Sequence, residues 1–181
     1  RAILRKFLLI ARAQGASARE ISILASLYAK CSSSLVVNGE KSAMNLVRLT
    51  GFFQGCPLAP FAWNVYINPL AIQLAAMFRS PDGSPTATLF ADDIMLLPTS
   101  PELAQPMIDV TKAWCDASNM IGGIRKMGVI EPTGGSMETL TWGGTPIPKV
   151  AHYPYLGIPT GAAGMDLIQL FQTRAKKREN I

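Results

Sequence analysis

Two adjacent carboxylates, Asp92 and Asp93, lie between two short apolar runs, Thr86-Ala87-Thr88-Leu89-Phe90 and Ile94-Met95-Leu96-Leu97-Pro98. Threonine, phenylalanine, isoleucine and leucine at this density, broken by two acids, read as strand, tight turn, strand. Like charges side by side repel and lose solvation when crowded, so the pair belongs at the rim of a core, where a cation or open solvent compensates it. Asp-Asp is also ordinary turn chemistry. Taken alone, the pair fixes a hairpin with acids at its tip and leaves their purpose open.

The remaining chain supplies enough apolar material to build around that hairpin. Its 181 residues, 49% of them hydrophobic, suit one domain with part of a second and exclude a disordered polymer. Lysine and arginine number 17 against 12 aspartates and glutamates, a net charge of +5 that suits a polyanionic partner and equally suits a solvated basic surface. Cys31, Cys56 and Cys115 are odd in number and widely spaced, with no Cys-x-x-Cys. They read as reduced, buried thiols of an intracellular protein, in nucleus or cytoplasm, and not as a disulfide frame or zinc site. No uninterrupted apolar run reaches about 18 residues, so no membrane span is expected. The sequence begins at Arg1, already inside a helical pattern, and reads as a piece of something longer.

In chain order, residues 2–13 form an amphipathic helix with Arg5, Lys6 and Arg12 behind it and Gly15 as its stop. Ser17 and Glu20 make a capping box for a second helix carrying Ile21, Leu24, Ala25 and Tyr28. Leu35-Val36-Val37 followed by Asn38-Gly39 predicts a type I′ hairpin, with the returning strand taking in residues 45–50. Gly51-Phe52-Phe53-Gln54-Gly55-Cys56-Pro57-Leu58-Ala59-Pro60 is a loop that opens a helix, with one amide, Gln54, held between flexible points. Residues 61–78 are apolar nearly all round and predict a helix inside a domain, packed on a sheet and kinked at Pro69.

Beyond the carboxylate hairpin, Ser100 and Pro101 open a helix with a Leu103, Met107, Val110 and Trp114 stripe, its first turns placed in doubt by Pro106. Gly122-Gly123 ends that pattern, and residues 124–130 read as a strand with the basic pair Arg125-Lys126 near its start. Thr141-Trp142, a turn at Gly143-Gly144, and Tyr155-Leu156-Gly157-Ile158 suggest further short strands. From about Asp166 the chain reads as a helix ending in Arg174, Lys176, Lys177 and Arg178, either a solvated end or a surface for phosphates.

With the loop and the hairpin in place, a family becomes visible. Residues 51–67 resemble the Gly-x-x-Gln-Gly-x-Pro-Leu-Ser-Pro block of reverse transcriptases, particularly those of non-LTR (LINE-like) retrotransposons, and Phe90-Ala91-Asp92-Asp93 resembles their aromatic-x-Asp-Asp box. Lys126 matches the lysine of the fourth palm motif, and Tyr155-Leu156-Gly157 resembles the opening of the fifth. Four motifs in order are far more specific than any one.

The resemblance implies an α+β fold, a partial polymerase palm with an antiparallel sheet backed by helices. Residues 1–160 would be partial fingers and palm, and 161–181 the start of a basic helix leading to a thumb. It implies an RNA-directed DNA polymerase, a nucleotidyltransferase that extends a DNA primer on an RNA template with deoxynucleoside triphosphates. Such transfer is served by two divalent ions about 4 Å apart. Asp92 would be a direct ligand and Asp93 a weaker or indirect one; Mg²⁺ suits the hard oxygen donors, with Mn²⁺ as the alternative. Gln54 and Gly55 would lie against the templating pair, with Phe90 and Ala91 beside substrate or template, and Lys126 would approach the incoming phosphates. An exposed lysine is the plainer reading of Lys126 without the family.

Three departures accompany the match. The family's first motif, with another metal-binding aspartate, has no counterpart, and before Gly39 the only acid is the capping Glu20. Ala59 stands where serine is usual, and Gly122-Gly123 replace an apolar residue and asparagine. The missing ligand would lie in an N-terminal part of the same polyprotein, and the isolated chain is expected to extend primers weakly or not at all. The alternative is a non-catalytic, decayed palm-like module that at most binds nucleic acid. Ala-Asp-Asp in place of Gly-Asp-Asp disfavours an RNA-dependent RNA polymerase. The single histidine, His152, has no signature of a nucleophile's base, and no phosphate loop ending in Lys-Ser or Lys-Thr is present.

Overall fold

A computed structural model describes residues 2–29, 33–46, 52, 55–134 and 137–165. The chain divides into two compact units, residues 1–69 and 70–181, and its architecture is α+β. The expected basic helix from Asp166 and the thiol of Cys31 lie outside the described residues.

In the first unit, α1 (Ala2–Ala13) ends through Gly15, whose φ of 103° is open to glycine at little cost. α2 (Ala18–Ala29) opens with the capping box: the Ser17 amide donates to Glu20 Oε2 at 2.7 Å and the Glu20 amide to Ser17 Oγ at 3.3 Å. The Ser17 hydroxyl, which also donates to Glu20 Oε2 at 2.7 Å, and the Ser17 amide hold the exposed Glu20 carboxyl below the usual glutamate range. β1 (Ser33–Val37) and β2 (Glu40–Leu46) pair antiparallel about Asn38-Gly39, both at positive φ. The return starts at Glu40, ahead of the expected residues 45–50, because a two-residue turn leaves no slack between the strands; residues 47–50 lie outside the description.

The hydrophobic centre of this unit is aromatic. Phe52 meets Phe7, Tyr28 and Tyr66 edge-on, with ring centroids 5.3, 5.8 and 6.3 Å apart, and Trp63 lies 5.9 Å from Tyr66. Phe7 and Tyr66 are wholly buried. Lys6 reaches over the Tyr66 ring, and partial burial lowers its pKa.

α3 (Ala59–Met77) runs through Pro69 and carries the chain from one unit to the next. Its apolar sequence predicted a helix inside a domain, packed on a sheet. Instead one stripe, Ala62, Tyr66, Leu70 and Leu74, is buried, while Phe61, Ile72 and Met77 are each more than half exposed. Composition permits burial all round, but a helix is covered only where other elements reach it.

The second unit begins with β3 (Ala87–Phe90) and β4 (Asp93–Leu96), joined by the predicted tight turn. α4 (Pro101–Ala117) follows with Pro101 in its first turn, and it continues undisturbed through Pro106. Proline at the sixth residue removes an amide whose acceptor is only one residue inside the helix start, so little of the ladder is lost. Ala104 and Ile108 of α4 pack with Met137, Leu140 and Ile147, and Leu96, Ile124, Met127, Val129 and Trp142 close around them. Two short ladders complete the unit. β5 (Thr141–Trp142) pairs with β6 (Thr145–Pro146), and β7 (His152–Tyr155), β8 (Ile158–Gly161) and β9 (Gly164–Met165) form an antiparallel sheet. Gln105 docks α4 onto β5 by accepting from the Thr141 amide at 2.8 Å and donating to its carbonyl at 3.0 Å.

The strand expected over residues 124–130 does not form. Ile124–Lys126 make one 3-10 turn, and Val129 forms a single parallel bridge to Lys149. β-branched residues favour a strand only when a partner runs beside them for its whole length. Of the thiols, Cys115 is buried as expected, with its pKa raised by desolvation, and Cys56 is only partly covered.

Candidate active site

The carboxylate hairpin is short and tightly specified. Phe90 pairs with Asp93, so Ala91 and Asp92 are the whole turn. Behind it the ladder continues to a hydrogen bond from the Leu97 amide to the buried Thr86 carbonyl at 2.8 Å. Directly opposed residues project from one face, so Thr88, Phe90, Asp93 and Met95 share a face, and Leu89, Ile94 and Leu96 share the other. Leu96 packs on the α4 core, which anchors the second face and turns Asp93 away from it.

Ala91 has a φ of 51°, in the left-handed region, and Asp92 does not. Positive φ at the first of two turn residues matches the twist of the flanking strands, but for alanine it costs about 1–2 kcal/mol. The turn therefore stores strain at the residue beside the two acids. Ala91, Asp92, Asp93 and Phe90 are all exposed. The ion pairs among the described residues, Lys112–Asp116 and Lys149–Glu131, lie elsewhere, and neither carboxylate of the tip has a partner among those residues. Two solvent-facing carboxylates with no counter-charge paired to them among the described residues offer the oxygen donors that a hard divalent cation takes. They do not complete a cage, since the described residues contain no group of three or more acidic, histidine or cysteine side chains suited to a metal.

Lys126 and Arg125 are exposed on the 3-10 turn. Its carbonyl accepts a hydrogen bond from the Tyr153 hydroxyl of β7. Two residues along the same strand, the Tyr155 hydroxyl accepts from Thr88 Oγ1 of β3 at 3.1 Å. Thus the carboxylate hairpin and the lysine turn, far apart in sequence, are both tied to β7. The sequence singled out Tyr155 through its Tyr-Leu-Gly but passed over Thr88 and Tyr153; the signal present was the alternation Tyr153-x-Tyr155 on a strand.

Gln54 lies outside the described residues. Its loop is pinned on both sides within the first unit, by Phe52 in the aromatic cluster and by Cys56, whose sulfur is 3.8 Å from the Tyr28 hydroxyl. Between them Gly55 takes a φ of 83°, with open space where a side chain would project.

The model of the reverse transcriptase (RNA-dependent DNA polymerase) family matches residues 10–160. The chain belongs to that family. Comparison with curated proteins gives no match. As a reverse transcriptase domain it is implied to work on a nucleic-acid template and primer with deoxynucleoside triphosphates, and polymerases of this family typically use a divalent metal. The matched span of this reverse transcriptase domain holds the Gln54 loop, the hairpin, Lys126 and Tyr155-Leu156-Gly157. The first glycine of the pair before Lys126 also has a local cause, and the second has none in its surroundings. A methyl group on Gly122 would come within 2.6 Å of the Trp142 ring, whereas one on Gly123 would meet nothing nearer than Lys126 Cδ at 4.0 Å.

Proposed function

We propose that this reverse transcriptase domain is the palm-bearing part of an RNA-directed DNA polymerase of the non-LTR retrotransposon type, with Asp92 and Asp93 as metal-binding carboxylates. The observation that carries this reading is an acid pair, with no ion-pair partner among the described residues, at the tip of a two-residue hairpin whose other face is half-buried and packs Leu96 on the α4 core. An acid pair serving only as turn chemistry has no need of a strained alanine or of a rigid, core-anchored base. Bound Mg²⁺ would supply charge neutralisation at the transferred phosphoryl group and polarisation of the primer hydroxyl.

The chain's own residues do the rest. Asp92, in the turn, would hold the metal directly, and Asp93, on the hairpin face, would be a weaker or indirect partner. Lys126 offers a cation to the incoming triphosphate, and Gln54 and Gly55 abut the templating pair. A further carboxylate, supplied by a segment of the same polyprotein outside this chain, completes the ligand set.

Extension of a DNA primer on an RNA template by the full-length polypeptide tests the reading. Asp92→Ala removes a ligand worth several kcal/mol of transition-state stabilisation, so the rate falls by roughly a thousandfold with the fold kept. An inactive parent with all its carboxylates intact contradicts the polymerase assignment and favours a decayed module that only binds nucleic acid.

A further inference from the structure

We infer that β7 is a positioning strand, whose Tyr153 and Tyr155 hydroxyls fix the Lys126 turn and the Asp92–Asp93 hairpin in one mutual arrangement; this rests on the polymerase reading above. Tyr153 and Tyr155 are two residues apart, so both rings leave the same face of β7, about 7 Å apart along the strand. Each hydroxyl takes hold of a different element.

At one end, Thr88 occupies the face of β3 that also carries Phe90 and Asp93. A hydroxyl bond there restrains the side of the hairpin opposite its core-packed face, so the hairpin is gripped from both sides. At the other end, the Lys126 carbonyl emerges where the 3-10 turn stops, and the Tyr153 hydroxyl serves as its donor. Reaching it requires the ring to lie across the backbone just beyond. Gly128 sits there, and a methyl group at that position would come within 2.9 Å of both the Tyr153 ring and Val150. Flanking bonds from the Val129 amide to the Pro148 carbonyl and from the Val150 amide to the Val129 carbonyl, both 2.9 Å, keep the segment alongside. A glycine that admits the ring and a ladder that holds the backbone are independent features serving one contact.

Phosphoryl transfer depends on simultaneous placement of metal ligands and cation against a single phosphoryl group. Tyr153 and Tyr155 touch neither metal nor nucleotide in this scheme; they act through Lys126 and Thr88, and are positioning residues. The test is steady-state primer extension by the full-length polypeptide with Tyr153→Phe, Tyr155→Phe and Thr88→Val, each nearly isosteric. Loss of one such bond in the transition state lowers kcat by about fivefold or more in each variant. The KM values for primer and nucleotide stay within about twofold and each variant remains fully folded at the assay temperature, so the loss of kcat is not a loss of folded enzyme. Tyr155→Phe combined with Thr88→Val loses no more than either alone, since both remove one bond. Unchanged kcat in an active enzyme, or losses that track the folded fraction, overturn the inference while the polymerase reading stands. A wild-type polypeptide that extends no primer sinks that reading, and the inference with it.

Discussion

Replacing Gly122 by alanine isolates one contact and gives it a size. The new methyl group would sit 2.6 Å from Cε2 and Cζ2 of Trp142 and 2.8 Å from the Met127 methyl, about 1 Å inside the usual carbon contact distance. Met127 can swing its flexible end away, but the indole is rigid and packs against the core of α4 and Leu140. Overpacking of this kind costs about 1–3 kcal/mol. Loss of glycine's freedom in the unfolded chain offsets about 0.4–1 kcal/mol of it, leaving a net destabilisation of about 1–2 kcal/mol. Gly123→Ala is the internal control, because its methyl group meets nothing within ordinary contact distance; it is neutral or slightly stabilising. Urea unfolding followed by circular dichroism measures both. Equal stability of the two variants, or a gain from Gly122→Ala, would refute the steric explanation of Gly122.

Three further outcomes follow from local geometry. Ala91→Gly relieves left-handed strain and raises stability by up to about 1 kcal/mol, whereas Ala91→Val, β-branched at positive φ, lowers it by about 1 kcal/mol or more. Thermal melts of the pair check the sign, which is opposite to ordinary strand preference. Phe52→Ala removes three edge-on ring contacts and destabilises the first unit by about 2–4 kcal/mol, seen as accelerated amide exchange in α1 and α2. Glu131 accepts from Lys149 Nζ at 2.8 Å and from the Met137 amide at 3.0 Å, and these bonds hold its carboxyl below the usual glutamate range. A depressed carboxyl contributes stability above its unfolded pKa that disappears as pH falls through the folded value. An NMR titration therefore finds Glu131 protonating at lower pH than an ordinary glutamate, with the Met137 amide perturbed in the same step.

What could be read from residues alone was local. The Ser17–Glu20 box, the Asn38-Gly39 turn and the strand–acid–strand hairpin each depend on side chains within a few positions, and each formed as expected. Contacts that close over long separations were not legible. Phe52 looked like part of a loop until Phe7, Tyr28 and Tyr66 gathered around it. Residues 124–130 carried strand-forming side chains, but only Val129 found a partner, in one isolated bridge, and Lys126 stands on a 3-10 turn. The exposed Phe61, Ile72 and Met77 of α3 show the same limit, because hydropathy records what can be covered and not what covers it. For the candidate site, sequence order was enough to name Asp92, Asp93 and Lys126, while the strand joining them needed Thr88 and Tyr153, which carry no motif.

The most direct test of the acid pair is a Mn²⁺ titration of the chain watched by amide NMR, with Mg²⁺ as competitor. A metal-binding tip predicts selective paramagnetic broadening of residues 90–94, reversed by Mg²⁺ and abolished in Asp92→Ala together with Asp93→Ala. Broadening spread evenly over the acidic surface, or unchanged in the double variant, would contradict the assignment of this hairpin as the metal-binding corner of a polymerase palm.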